Sequence, residues 1–262
     1  MTHHAFRLSI EELAYALGVM GGEEAASVFL LSLLGERPQR EMQGRMLAAA
    51  HSLAARELLD FDEDAGIRGL SPALAATVAP LLQHSSVIRC SRNAGAQEAV
   101  LSLYFGSDGV SAQSLRRSIV VHLERLDFAD ALERAVAFFD LPAVNGRDAA
   151  LGSVAATLLE QARHVCDAVQ RESFAAQFAA EGLPDGTAVA LAHDLSHSAA
   201  RGSVLRITVE GDRPVASAGF LVLHAAARAW LFEPVQSDAE VVRVLPGHAA
   251  ALRRMLADLM TA

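Results

Sequence analysis

Three segments of this chain recur, in the same order, about 120 residues further on. Ser86-Val87-Ile88-Arg89-Cys90 is echoed by Ser203-Val204-Leu205-Arg206-Ile207 at an offset of 117. Ala99-Val100-Leu101-Ser102-Leu103-Tyr104 is answered by Gly219-Phe220-Leu221-Val222-Leu223-His224 at 120. Val120-Val121-His122 through Phe139 is answered by Val241-Val242-Arg243 through Met260 at 121. Ordered echoes at a nearly constant offset are the mark of a duplicated folding unit, which restricts the chain to a pseudo-symmetric plan built twice.

Each copy reads as a small antiparallel sheet closed by a helix. In the first, Val87–Arg92 and Glu98–Phe105 are strands around the loop Asn93-Ala94-Gly95-Ala96. A turn at Gly106-Ser107-Asp108-Gly109 follows, then a strand over Ser118–Glu124. Asp127 caps a helix whose inner face carries Ala131, Leu132, Ala135, Val136 and Phe139. In the second, strands are expected over Val204–Glu210, Ala218–Ala225, Ala229–Glu233 and Glu240–Leu245, with a turn at Gly211-Asp212-Arg213-Pro214. Pro246-Gly247 leads into the closing helix. Between the copies, residues 142–150 have the composition of a linker. A long helix from Leu151 to about Ala180, with room for one break, is expected next, and another from Pro184-Asp185 to about His197.

The N-terminal region is helical. Ser9 and Glu12 form a capping box before Leu13 and Leu17, and Gly21-Gly22 stops that helix. A second helix runs from Glu23 to Gly35, a third from Pro38 to about Leu59, and a fourth from Ser71-Pro72 to Leu82. Asp60–Gly69 can form a short hairpin. The expected organisation is therefore a winged-helix-like region over 1–85, a first repeat over 86–141, a linker and helices over 142–202, and a second repeat over 203–262. The fold class is α+β, in one compact body.

Composition narrows the function. Apolar residues make up 52% of the 262 and charged residues 20%, which marks a globular chain. The apolar run Phe220–Phe232 contains His224 and Arg228 and is too short to span a bilayer. Met1-Thr2-His3-His4-Ala5-Phe6-Arg7 is no signal peptide, so a cytoplasmic protein is expected. Net charge is −9, and residues 1–82, 83–150 and 151–262 carry 6, 7 and 9 arginines against 11, 8 and 12 acids. None of these regions has the basic excess that nucleic-acid binding requires. The third helix disperses Arg40, Arg45 and Arg56 and is followed by an acidic strip, so its winged-helix outline suits protein packing better than a DNA groove.

Candidate chemistry is sparse. His193 and His197 share a helix face at a spacing that can bind metal, but no third ligand accompanies them. Asp60-x-Asp62-x-Asp64 begins like a calcium loop and then fails, with Ala65 at the sixth position and Ser71 at the twelfth. The chain has no lysine, which removes Schiff-base chemistry and a P-loop. Cys90 and Cys166 read as buried free thiols in preference to a disulfide. Tyr104 and His224 occupy matching places in the two copies and read as structural. No catalytic, cofactor or metal residues are expected, and the chain is not expected to be an enzyme.

The chain resembles the EspG family, the cytosolic chaperones of mycobacterial type VII (ESX) secretion. The resemblance lies in the opening Leu8-Ser9-Ile10-Glu11-Glu12-Leu13, the junction Ala55-Arg56-Glu57-Leu58-Leu59-Asp60, and Val241-Val242-Arg243-Val244-Leu245-Pro246-Gly247 leading into a helix rich in Ala, Leu and Arg. It covers most of the chain without a diagnostic motif. It implies a quasi-two-fold body with a central antiparallel sheet and flanking helical bundles. It also implies an adaptor that binds the exposed apolar tip of a helical secretion substrate. No family residue can be matched to a role here. The loops Asn93–Gln97 and Gly106–Gln113, with Asn93, Gln97, Ser107, Asp108 and Gln113, are the expected protein-binding region. The leading reading is a non-enzymatic protein-binding adaptor with no nucleic-acid or membrane partner, and a homodimer is left open. The alternatives are a transcription regulator using the N-terminal helices and a small-molecule sensor in the cleft between halves.

Overall fold

Ser9 and Glu12 do what their spacing predicts. Ser9 Oγ accepts from the Glu12 N–H at 3.0 Å while Glu12 Oε2 accepts from the Ser9 N–H at 2.7 Å, and this reciprocal cap opens helix α1 (Ile10–Val19). The computed structural model describes residues 4–62, 66–116, 119–141, 149–164, 167–211, 213–235 and 238–261. Strand β1 (Ala5–Ser9) precedes α1. Behind it come α2 (Glu23–Leu34), α3 (Gln39–Ala55), the hairpin strands β2 (Leu59–Asp62) and β3 (Gly66–Leu70), and α4 (Pro72–Leu82). Then follow β4 (Ser86–Ala94), β5 (Gln97–Gly106), β6 (Gly109–Arg116), β7 (Val120–Leu126) and α5 (Phe128–Phe139). The remainder is β8 (Gly152–Ala155), α6 (Ala156–Ala162), α7 (Ala168–Ala180), α8 (Asp185–Ser196), β9 (Ala200–Glu210), β10 (Arg213–His224), β11 (Ala229–Val235), β12 (Asp238–Pro246) and α9 (Ala249–Thr261).

The expected α+β class with an antiparallel sheet is observed. One sheet runs in the order β1-β7-β6-β5-β4-β9-β10-β11-β12-β8, and β2 and β3 form a separate hairpin. Along the chain, a strand entering a helix, further helices, four strands and a closing helix occur in succession twice.

The chain divides into two compact units. The first comprises Met1–Val87, Leu101–Ala131 and Thr208–Val215. Here β1 pairs antiparallel with β7, from Ala5 opposite Glu124 to Ser9 opposite Val120, and β7 pairs with β6. Leu8, Leu13, Leu17, Leu53, Leu74 and Leu123 form its core. Two helices of this unit end in the same way. Gly21 (φ 83°) and Glu57 (φ 56°) take the left-handed conformation, and the next residue's N–H returns to a carbonyl five residues back, Gly22 to Leu17 and Leu58 to Leu53. That cap stops α3 at Ala55, short of the expected Leu59, which opens β2 instead.

The second unit comprises Ile88–Val100, Leu132–Ile207 and Ala216–Ala262. β10, β11, β12 and β8 pair antiparallel in turn. Val154, Leu158, Phe178, Leu191, Phe232 and Val244 lie in the core shared by this sheet and helices α6, α7 and α8. Glu133 of α5 receives Arg253 of α9 in a bidentate pair, Nε to Oε1 at 2.7 Å and NH2 to Oε2 at 2.6 Å.

Two expectations need correction. The expected helix from Leu151 begins as strand β8, because Val154 is buried against the core and Leu151–Ala155 bonds to β12, so tertiary pairing overrides helix propensity. The helical part carries the one break allowed for, and Asp167 restarts it by accepting from the Gln170 N–H at 2.7 Å. Gln113 lies on strand β6 opposite Ser102, not in a loop, because Val110 and Ala112 alternate into the core. The linker residues Pro142–Asp148, along with Asp64, Ala65, Ser118, Cys166 and Asp212, lie outside the described residues, and Asp60 and Asp62 fall on β2.

Glu12 ties the N-terminal helices together. Its carboxylate also accepts from Ser52 Oγ at 2.7 Å and Arg56 NH1 at 2.9 Å, with only 6% of the residue exposed. Replacing it leaves several donors without an acceptor. Glu12→Ala is expected to cost about 3 kcal/mol, and Glu12→Gln roughly half of that, in chemical denaturation.

Candidate functional site

Phe220-Leu221-Val222-Leu223 on β10 is apolar on both faces of the strand. On one face, Leu223 joins Trp230, Phe232 and Val242 in the core beneath α6 and α8. Leu221 points the same way by strand alternation, yet 53% of it is exposed. It borders a cavity of about 280 Å³ inside the second unit. The floor is Leu223, Phe232 and Val242; Ala156, Leu159 and Leu195 form the helical wall. Pro234, where β11 shifts register, shapes one end.

Charge is confined to the mouth, at Glu160, Arg163 and Arg201. Arg163, at the end of α6, is paired with Glu160, which also faces His164 Nε2 at 3.5 Å. The Arg163 hydrogen bond, with a smaller contribution from His164, holds the Glu160 carboxyl below its usual range. Arg201, on β9, donates from Nε to Ser198 Oγ at 3.0 Å and from NH2 to the Leu195 carbonyl at 3.3 Å. Burial, then the charge of Arg163, lowers its pKa.

Behind the wall, Asp194 fixes α8. Only 4% exposed, it accepts from Trp230 Nε1 at 2.9 Å and pairs with Arg228 Nε at 2.8 Å. That holds the neighbouring Leu195 in register with β11. The His193 and His197 rings stack at 4.5 Å, and among the described residues no group of three metal-binding side chains forms.

The loop residues expected to bind a partner are dispersed. Asn93 and Gln97 flank the turn between β4 and β5 and are exposed. Ser107 and Asp108 form the turn at the other end of the ten-residue β5 and are also exposed. Gln113 is half-buried and accepts from Tyr104 Oη at 2.9 Å. Cys90 is buried in β4 and burial pushes its thiol up to about 12, so it is inert. In the third helix, Arg45 pairs with Glu11 at 2.8 Å and Glu41 at 3.0 Å, and Arg56 with Glu12 at 2.9 Å, which removes both from phosphate recognition. Among the described residues no helix is long and apolar enough to cross a membrane. No sequence motif pointed to the cavity. Its signal was the two-sided apolar run on β10, a pattern that demands cover on both faces.

No protein-family model matches this chain, and no curated protein matches it by sequence. Among solved structures it is similar to the Mycobacterium tuberculosis type VII secretion system chaperone EspG5, solved in complex with a PE25–PPE41 dimer. The match covers 98% of this chain and 96% of the other at a TM-score of 0.66 and 12% identity. At that identity the likeness is one of fold.

His224, at the end of β10, provides a pH test of the sheet near this site. Its Nε2 is buried without a hydrogen-bond partner among the described residues. Burial, then the charge of Arg92, lowers its pKa, opposed weakly by Asp140. Above about pH 6.5 the ring is neutral folded and unfolded, and stability is complete. Below it the unfolded chain takes up a proton that the folded state resists, so stability falls with pH. Denaturation midpoints followed from about pH 7.5 to 5 are expected to drop less in His224→Leu than in the parent.

Proposed function

We propose that this chain is a non-enzymatic adaptor of the secretion-chaperone kind, acting in the cytoplasm, which shelters an apolar segment of a partner protein in the β10–α6–α8 cavity. The observation that carries the reading is Leu221: a large apolar side chain, half exposed, beside an apolar cavity on a fold shared with a chaperone. Exposed apolar surface continuous with a core is costly in water and marks a surface that something covers. EspG5, the protein of similar fold, was solved with a protein dimer bound, which supports a protein occupant here.

The cavity's chemistry agrees. At 280 Å³ it is at the lower edge of the roughly 300–1,000 Å³ typical of small-molecule pockets, and suits one or two side chains. Its ionisable residues are a carboxylate held ionised by Arg163 and two arginines, none of which is poised to exchange protons near neutral pH. Such a site binds.

The test is a substitution at Leu221, whose exposure lets it change without opening the core. Tagged protein is expressed in its native host and its co-purifying proteins are compared with those of Leu221→Arg. The parent is expected to retain a stoichiometric partner that the variant loses, with melting temperatures within about 2 °C of each other. Equal retention by both, or no partner for the parent, would sink the reading.

A further inference from the structure

The charges at the cavity mouth do not balance. In the second unit, Arg228 has Asp194, Arg243 has Glu233 and Arg253 has Glu133 as carboxylate partners. Arg201 makes no ion pair among the described residues, feels Glu160 only beyond ion-pair distance, and bonds to a hydroxyl and a backbone carbonyl. Glu160 is the one carboxylate lining the cavity, and Arg163 and His164 already engage it. The Arg163 Nε is buried and bonds to no described residue, so its guanidinium is only partly satisfied by Glu160. Two guanidinium groups thus face one committed carboxylate at the rim of an apolar hollow.

We propose that the mouth reads an acidic side chain: the partner segment sets an apolar side chain in the cavity and an Asp or Glu carboxylate against Arg201, beside the Arg163 guanidinium. This rests on the adaptor reading and adds the partner's chemistry to it. A carboxylate presents two acceptor oxygens, which suits two guanidinium donors and relieves their mutual repulsion. An amide or hydroxyl could accept a hydrogen bond but would leave the excess charge in place. The chain as a whole carries −9, so an acidic partner gains nothing from the global field. Recognition therefore depends on these two arginines and weakens with salt.

A displayed library of helical hairpins, randomised at the tip, tests this with the natural partner still unidentified. Selection is run against the full chain, with Leu221→Arg as the counter-target and Arg201→Gln and Arg201→Glu as parallel targets, each first checked for an unchanged melting curve. The expected clones carry an apolar residue with Asp or Glu within one helical turn. Changing that acid to its amide, or Arg201 to Gln, should weaken binding about tenfold, and Arg201→Glu should select Arg or Lys in its place. Cavity-dependent clones with no acidic enrichment, or no response to Arg201, overturn the proposal and leave the adaptor reading standing. Absence of any clone sensitive to Leu221→Arg counts against the adaptor reading itself. Laurate is titrated as a small-molecule control. Arg201-dependent binding of laurate tighter than that of every clone overturns the assignment to a protein segment.

Discussion

A strand that is apolar on both faces must be covered on both, and the architecture of the second unit follows from that constraint. Trp230 and Phe232 on β11 face the helices α6, α7 and α8, while Leu231 between them is just as buried on the opposite face. Val244 and Leu245 of β12 divide in the same way. Helical cover follows as a necessity, because no polar face is available to turn outward. The polar clamp from Asp194 to Trp230 and Arg228 then sets where α8 can sit, and so where cover ends. The cavity lies between Leu221 and the residues of α6 and α8 that line it, Ala156, Leu159 and Leu195.

Much of this was legible in local sequence, and the exceptions share a cause. The Ser9–Glu12 cap, the hairpin turns at Gly95 and Ser107-Asp108, and most of the long strands depend on residues close together in the chain. Strands β1 and β8 do not. Each has four or five residues, and each becomes a strand only through a partner about 90 or more positions away, Ala5 on Glu124 and Ala155 on Val241. No local propensity announces such a strand, and the alanine-rich run around β8 actively suggests helix. Strand β6 is different. Val110 and Ala112 alternate with Ser111 and Gln113, and the second copy has β11 in the corresponding place, so the repeat itself carried the missing strand.

The echoed segments also meet each other within the second unit. Glu133 of α5 and Arg253 of α9 join the closing helices of the two echoed segments, one position out of the 121-residue register that matches Glu133 with Arg254. Ser91 and Ser203 make a second meeting of the two copies, between hydroxyls 2.7 Å apart.

Divergence also decides where a binding surface can exist. Leu101 and Leu221 are the same residue at matching positions of the two copies, 120 apart. Leu101 is 2% exposed and Leu221 53%. Nothing in the residue itself distinguishes them; their surroundings do. In the first copy the leucine is part of a finished core, and its removal would cost a cavity. In the second it stands at the edge of an unfinished one, where an outside side chain can complete the packing. The position corresponding to Arg201, 117 residues earlier, is His84, whose ring nitrogen faces the Pro80 carbonyl. That position thus carries a histidine in the first segment and a permanent charge in the second. If the cavity is the binding site, the difference between a closed core at Leu101 and an open edge at Leu221 is what places it on the second half.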